Sequence, residues 1–149
     1  LRSPEAYVGY DRAEDFSSPG GPFRDVPNDY SPPDELRLNR WALAGEWTIG
    51  RQAVVPSADG GRIIHRFQAR DLNLVLAPAE DEQPARFRVL LDGEPPGSAH
   101  GLDVDEHGDG VVTEPRCYQL IRQPSPFGER TFEITFLDAG VRAYVFTFG

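Results

Sequence analysis

Between residues 131 and 136, Phe132, Ile134 and Phe136 alternate strictly with Thr131, Glu133 and Thr135. A two-residue apolar period puts every second side chain on one face, a pattern that a strand can bury and a helix cannot. Asp138-Ala139-Gly140 then supplies turn chemistry, and 141–148 reads as the returning strand. The same signature recurs upstream, with Leu72, Leu74 and Leu76 alternating in 71–76 and Phe87, Val89 and Leu91 in 86–91. Further strands are expected over 41–49, 52–55, 62–69 and 116–122, with Gly50 and the 56–61 segment as breaks. Short strands at regular spacing, joined by Gly, Pro and Asp turns, predict an all-β fold. The expected form is a jelly-roll type β-sandwich of two antiparallel sheets, a closed barrel being the other solution.

Residues 1–35 differ from the rest. Ser17-Ser18-Pro19-Gly20-Gly21-Pro22 and Ser31-Pro32-Pro33 exclude a long helix, leaving a short turn near 4–12 as the one helical candidate. This segment is expected to be an irregular N-terminal arm, an extended edge packed on the domain through Tyr7, Tyr10, Phe16 and Phe23, with the sandwich spanning 36–149. The chain opens Leu1-Arg2-Ser3-Pro4 and contains no Met, which predicts a domain of a longer protein with any export signal upstream. Its 149 residues suffice for one core without metals or disulfides. No apolar run approaches the roughly 18 residues of a membrane span, so this segment is not expected to insert into a bilayer.

All 15 basic residues are Arg, and the formal net charge is −9. Such an acidic domain repels a phosphate backbone and an anionic lipid surface, so neither nucleic acid nor membrane is an expected partner. Arg66, Arg70, Arg86, Arg88, Arg116 and Arg122 fall on expected strands. They read either as surface ion pairs with the abundant carboxylates or as a polar strip for an acidic glycan. The lone Cys117 can form no internal disulfide and no C-x-x-C pair, and on a strand it is expected to be a buried, inert thiol. There is no G-x-S-x-G and no phosphate-binding glycine loop, so catalysis is not expected.

One connection, 92–110, is long and carries two of the three histidines. Within and just beyond it, Asp103, Asp105, Asp109 and Glu114 give a carboxylate series whose Asp103-x-Asp105-x-His107-Gly108 spacing approaches a calcium loop. His107 stands where Asp or Asn is expected, and the flanks read as strands rather than helices. The other reading is an acidic hairpin tip turned by Gly108 and Gly110. His100 and His107 would suit a transition metal instead. No cofactor is required by this pattern, and calcium is the metal it would admit.

Several segments in order carry a wider likeness. They are Trp41-Ala42-Leu43 with Gly45-x-Trp47-x-Ile49-Gly50, then Arg66-Phe67-x-Ala69-Arg70-Asp71-Leu72, then Phe87-Arg88-Val89-x-Leu91-Asp92-Gly93. Pro96-Gly97-x-Ala99-His100-Gly101, Tyr118-Gln119-Leu120-Ile121-Arg122-Gln123, Arg130-Thr131-Phe132-Glu133-Ile134 and Phe146-Thr147-Phe148-Gly149 complete the series. Together they resemble the domain that follows the thioredoxin-like domain in the DipZ family of bacterial membrane-anchored redox proteins, associated with cytochrome c biogenesis. The resemblance implies a sandwich similar to carbohydrate-binding modules, extracytoplasmic, on a membrane-anchored or secreted parent whose thioredoxin-like domain holds the active cysteines. It implies a glycan and that thioredoxin-like domain as partners. Sugar binding calls for aromatic faces and planar polar groups. Trp41, Trp47, Tyr118 and Tyr144 are the aromatic candidates, with Arg88, Asp92, His100, Gln119 and Arg122 as polar ones. The competing reading is a structural or protein-interaction domain that packs on the thioredoxin-like domain and binds no sugar.

Overall fold

The computed structural model describes residues 2–149. In chain order the strands are β1 (Ala6–Tyr7), β2 (Pro27–Tyr30), β3 (Trp41–Ile49), β4 (Val54–Pro56), β5 (Gly61–Phe67), β6 (Asp71–Ala77), β7 (Ala85–Leu91), β8 (Asp109–Val112), β9 (Arg116–Arg122), β10 (Arg130–Phe136) and β11 (Arg142–Phe148). A single 3-10 turn at Gly97–Ala99 is the one helical element among the described residues. The fold is therefore all-β, and its ladders are antiparallel, running β8-β7-β10-β5-β3-β4-β11-β6-β9.

Strand β3 belongs to both faces of this curled sheet. Its first half, from Trp41 to Ala44, pairs with β5, while Gly45 to Ile49 pairs with β2 on one side and β4 on the other. The handover falls at Gly45, whose φ of 92° is open to glycine at no steric cost. A side chain there would also press on Gly61 at 3.3 Å, where β5 crosses. A strand that bends between sheets makes the corner of a sandwich. Trp41, Leu43, Trp47 and Ile49 all point into the space so enclosed.

The core is aromatic. Trp41, Trp47, Phe67, Phe87, Phe132, Phe136 and Phe146 are fully buried, with Leu72, Leu74 and Leu76 from β6 closing the opposite wall. The alternations that predicted β6, β7 and β10 thus mark the inward face. Two bulges correct the count elsewhere. In β11, Ala143 lies opposite Leu76 but Val145 opposite Val75, so Tyr144 is the extra residue. That lets Ala143 and Phe146 both face inward although they are an odd number apart, and it turns Tyr144 outward. A second irregularity at Leu72/Asn73 buries Leu120 and Ile121 side by side.

Three expectations need correction. The arm is not merely packed on the domain: β1 pairs with β11 and β2 with β3, so its backbone completes the sheet. Tyr7, Tyr10 and Phe16 are partly covered, but Phe23 is half exposed. The stretch 92–110 is not all loop, because β8 starts at Asp109 and pairs with β7; its Asp-Gly context hides a short edge strand. Cys117 is exposed, since Tyr118 and Leu120 take the inward positions of β9.

His65 on β5 is the polar exception in the core. It is 1% exposed, lies opposite Trp41 and Phe132, and has the Phe146 and Phe148 rings at 4.9 and 5.3 Å. Neither ring nitrogen has a hydrogen-bond partner. Burial lowers its pKa to about 4, so it is held neutral. The unfolded chain binds this proton near pH 6.5 and the folded chain does not, so stability is full above that pH and falls as pH drops toward 4. Between pH 7 and pH 5 the protein should lose about 2 kcal/mol from this group, at about 1.4 kcal/mol per pKa unit. Urea denaturation at the two pH values should show that loss in the parent and much less of it in His65→Phe; equal losses would clear His65 of the effect.

Candidate functional site

The arm reaches the second sheet through a close backbone approach. A Cβ on Gly9 would stand 2.3 Å from the carbonyl carbon of Gln52, so only glycine lets the two turns meet. The Tyr10 N–H then donates to the Gly50 carbonyl and the Asp11 N–H to the Arg51 carbonyl, each at 2.9 Å. One residue earlier, the Val8 N–H donates to the carbonyl of Tyr144 at the β11 bulge. The chain tightens after Gly9, whose carbonyl accepts from the N–H groups of Arg12 and Ala13. This is a short turn, as expected within 4–12.

These contacts leave an open groove of about 250 Å³, lined by Tyr7, Asp11, Arg12, Arg51, Gln52 and Tyr144 around Gly9. Both tyrosines are half-buried. The Arg12 guanidinium carbon lies over the Tyr7 ring, 3.7 Å from its centroid. Arg51 approaches the Asp11 carboxylate through Nε at 3.3 Å. Two aromatic bodies, two guanidinium groups, a carboxylate and an amide thus converge on one concavity, the composition of a small-ligand site. Tyr144 is the one member that sequence reasoning proposed. Tyr7 was assigned to packing, and Arg12, Asp11, Arg51 and Gln52 were missed. No periodic signal marks them, because turn-to-turn contact brings them together.

The other proposed aromatics lie elsewhere. Trp41, Trp47 and Tyr118 are core residues with their rings covered, which corrects their assignment as sugar-stacking faces. Their polar atoms are also spent: Trp41 Nε1 donates to the Glu14 carbonyl, Trp47 Nε1 to the Ala44 carbonyl, and the Tyr118 hydroxyl to the Glu114 carbonyl. The polar candidates scatter over both sheets. Arg88 on β7 donates to Asp109 on β8 at 2.8 Å. Asp92 accepts from Arg130 and from the Thr131 N–H. Partial burial pulls the Asp92 carboxyl up, but those bonds outweigh it and hold the group below the ordinary carboxylate range. His100 is exposed, with Nδ1 2.8 Å from the Gly101 carbonyl. Arg122 sits 3.9 Å from Asp71.

The acidic series does not converge on one point. Asp103 ties down the edge of β9, accepting from the Gln119 N–H at 2.7 Å and from Arg116 at 2.8 Å. Its partial burial works against ionisation, yet Arg116 and Gln119 keep the carboxyl below its ordinary value. Gln119 returns the favour, accepting the Leu102 N–H on its side chain. Asp105 caps its own turn, accepting from the N–H groups of His107 and Asp109. Asp109 faces Arg88, and Glu114 lies 3.5 Å from Arg116. Among the described residues no three acidic, His or Cys side chains gather as a metal requires. In this structure the four carboxylates serve the turn and its arginine pairs.

All six arginines expected on strands have carboxylate partners: Arg66 with Asp92 and Glu129, Arg70 and Arg122 with Asp71, Arg86 with Asp138, Arg88 with Asp109, and Arg116 with Asp103. They form ion pairs rather than a free strip.

The family described as thioredoxin-like C-terminal domain matches the chain over residues 3–149. The chain belongs to that family. No curated protein matches it. As a thioredoxin-like C-terminal domain it is an accessory part of a thioredoxin-like protein. With one cysteine it has no C-x-x-C motif of its own, and its thiol stands on the far sheet edge, on β9. The groove around Gly9, away from the cysteine, is the candidate site of this accessory domain.

Because the Asp103 carboxylate already satisfies a peptide N–H and a guanidinium, Asp103→Ala should destabilise by about 2 kcal/mol. Calcium and a chelator should leave the melting curve of the parent unchanged. Chemical denaturation and a thermal scan check both, and a calcium-dependent rise in Tm would restore the metal reading.

Proposed function

We propose that this domain binds a saccharide in the groove between Tyr7 and Tyr144, and so holds its thioredoxin-like partner domain close to cell-wall or substrate glycan. The observation that carries the reading is the groove itself, where two half-buried tyrosines stand beside hydrogen-bonding side chains of both polarities. A sugar ring has an apolar face that packs on an aromatic and an equatorial rim of hydroxyls that needs donors and acceptors. Asp11 accepts from hydroxyls, Arg51 donates to them, and Gln52 does both.

The site is small and open, and one groove of this kind binds weakly. Weak binding suffices for an appended domain, because tethering raises the local concentration of its neighbour at the glycan without a new contact. The parent in this reading is an exported, DipZ-type thiol-disulfide protein with its cysteines on the other domain. The domain itself is a binding module and not a catalyst.

Calorimetric titration with soluble fragments of bacterial cell-wall glycan should give saturable heat. Tyr144→Ala should weaken it about tenfold, the loss of one stacking and burial contact of 1–2 kcal/mol. Because Tyr144 lies outside the core, the circular dichroism spectrum should not change. Absence of binding across a broad glycan panel would overturn the proposal and leave the interaction-domain reading.

A further inference from the structure

Ten of the fifteen arginines have a carboxylate oxygen within 4.0 Å, as expected in a chain of net charge −9. Arg12 is not among them. Among the described residues it makes no ion pair, and its guanidinium is held by the face of Tyr7 instead. Glu5, Glu14 and Asp15 line the concavity on its other side, but none comes within ion-pairing distance. The contact with the ring spends none of the guanidinium N–H donors. Across the same groove Arg51 uses Nε toward Asp11, leaving its two terminal nitrogens without a partner among the described residues.

We infer that the groove selects a saccharide bearing a carboxylate, with Arg12 as the group that receives it. This rests on the saccharide reading above and narrows it to acidic sugars of the hexuronic type. A guanidinium edge matches a carboxylate through two parallel charge-assisted hydrogen bonds, roughly twice as strong as neutral ones. Arg12 and Arg51 line the groove with the one carboxylate of Asp11, while Glu5, Glu14 and Asp15 stand on the far side of Arg12 without pairing with it. The negative charge of the rest of the chain does not forbid this. At physiological salt the Debye length is about 8 Å, so distant carboxylates are screened while a contact pair is not.

The test compares a trigalacturonate with its carboxyl-reduced counterpart, which has the same ring shape and no charge, on the whole 149-residue chain. Calorimetry should show the acid binding about tenfold tighter, the gain of one partly exposed charge-assisted pair. That preference should shrink between about 0.05 and about 0.5 M NaCl. Arg12→Gln should bring the ratio of acid to neutral-sugar affinity to about one, and Arg12→Lys should restore part of that ratio. Equal binding of the two sugars to the parent would overturn the inference and leave the saccharide groove standing. Binding of neither would overturn both. A glutamate-rich peptide that binds with the same Arg12 dependence, where no sugar does, would show an acidic peptide to be the ligand and overturn the saccharide assignment. The comparison on the parent decides the matter even where a variant fails to fold.

Discussion

Strand β3 must satisfy hydrogen bonds in two sheets at once, and the rest of the structure follows from how it does so. Its first four residues serve β5 and its last five serve β2 and β4, with Gly45 taking the backbone conformation that makes the change. Because the strand keeps its parity through the bend, Trp41 and Trp47 fall on the same inner side, one from each sheet. Phe16 meets Trp41 edge-on and Phe136 meets Trp47 likewise, so the corner is filled by rings rather than by aliphatic chains. Edge-to-face pairs of this kind add about 1 kcal/mol beyond the area they bury. The arm is drawn in by the same corner, since Trp41 Nε1 needs the Glu14 carbonyl and the Leu43 N–H takes the Ser18 hydroxyl.

What the sequence made legible was the part of the fold that is local. Alternation in 71–76, 86–91 and 131–136 is a property of neighbouring residues, and each run became a strand with the expected inward face. The groove was illegible for the opposite reason. Its residues come from 7–12, 51–52 and 144, and nothing in any one of these stretches announces the others. Tyr144 faces outward only because of a bulge, a one-residue shift that a periodicity count cannot place. The tryptophans misled because a large aromatic is equally suited to a core and to a sugar platform. Burial decides between them, and burial here is set by the bend in β3. The strand β8 was hidden by Asp and Gly on its flank, which read as turn chemistry.

Charge in this molecule is organised by pairing. The strand arginines that could have formed a strip each meet a carboxylate across a ladder or at a strand end. Most of these pairs are exposed and each contributes little to stability. Their effect is to occupy donors and acceptors that would otherwise recruit ligands over the whole surface. Asp103 goes further and makes a lattice of the β9 edge, where the N–H groups of Gly101 and Asp103 also donate to the Leu120 and Gln119 carbonyls. An edge strand covered in this way no longer templates pairing with another chain.

The groove joins segments far apart in the sequence. One wall comes from the first dozen residues, the other from the bulge in β11, and they are tied by the Val8 N–H to Tyr144 carbonyl bond and the β1 ladder. Under the proposed function a guest seated there would touch both walls, so its binding would favour the β1–β11 pairing by mass action. The pocket would then act as a clasp. Tension on the arm would peel β1 from β11 and release the guest, and a seated guest would resist that tension.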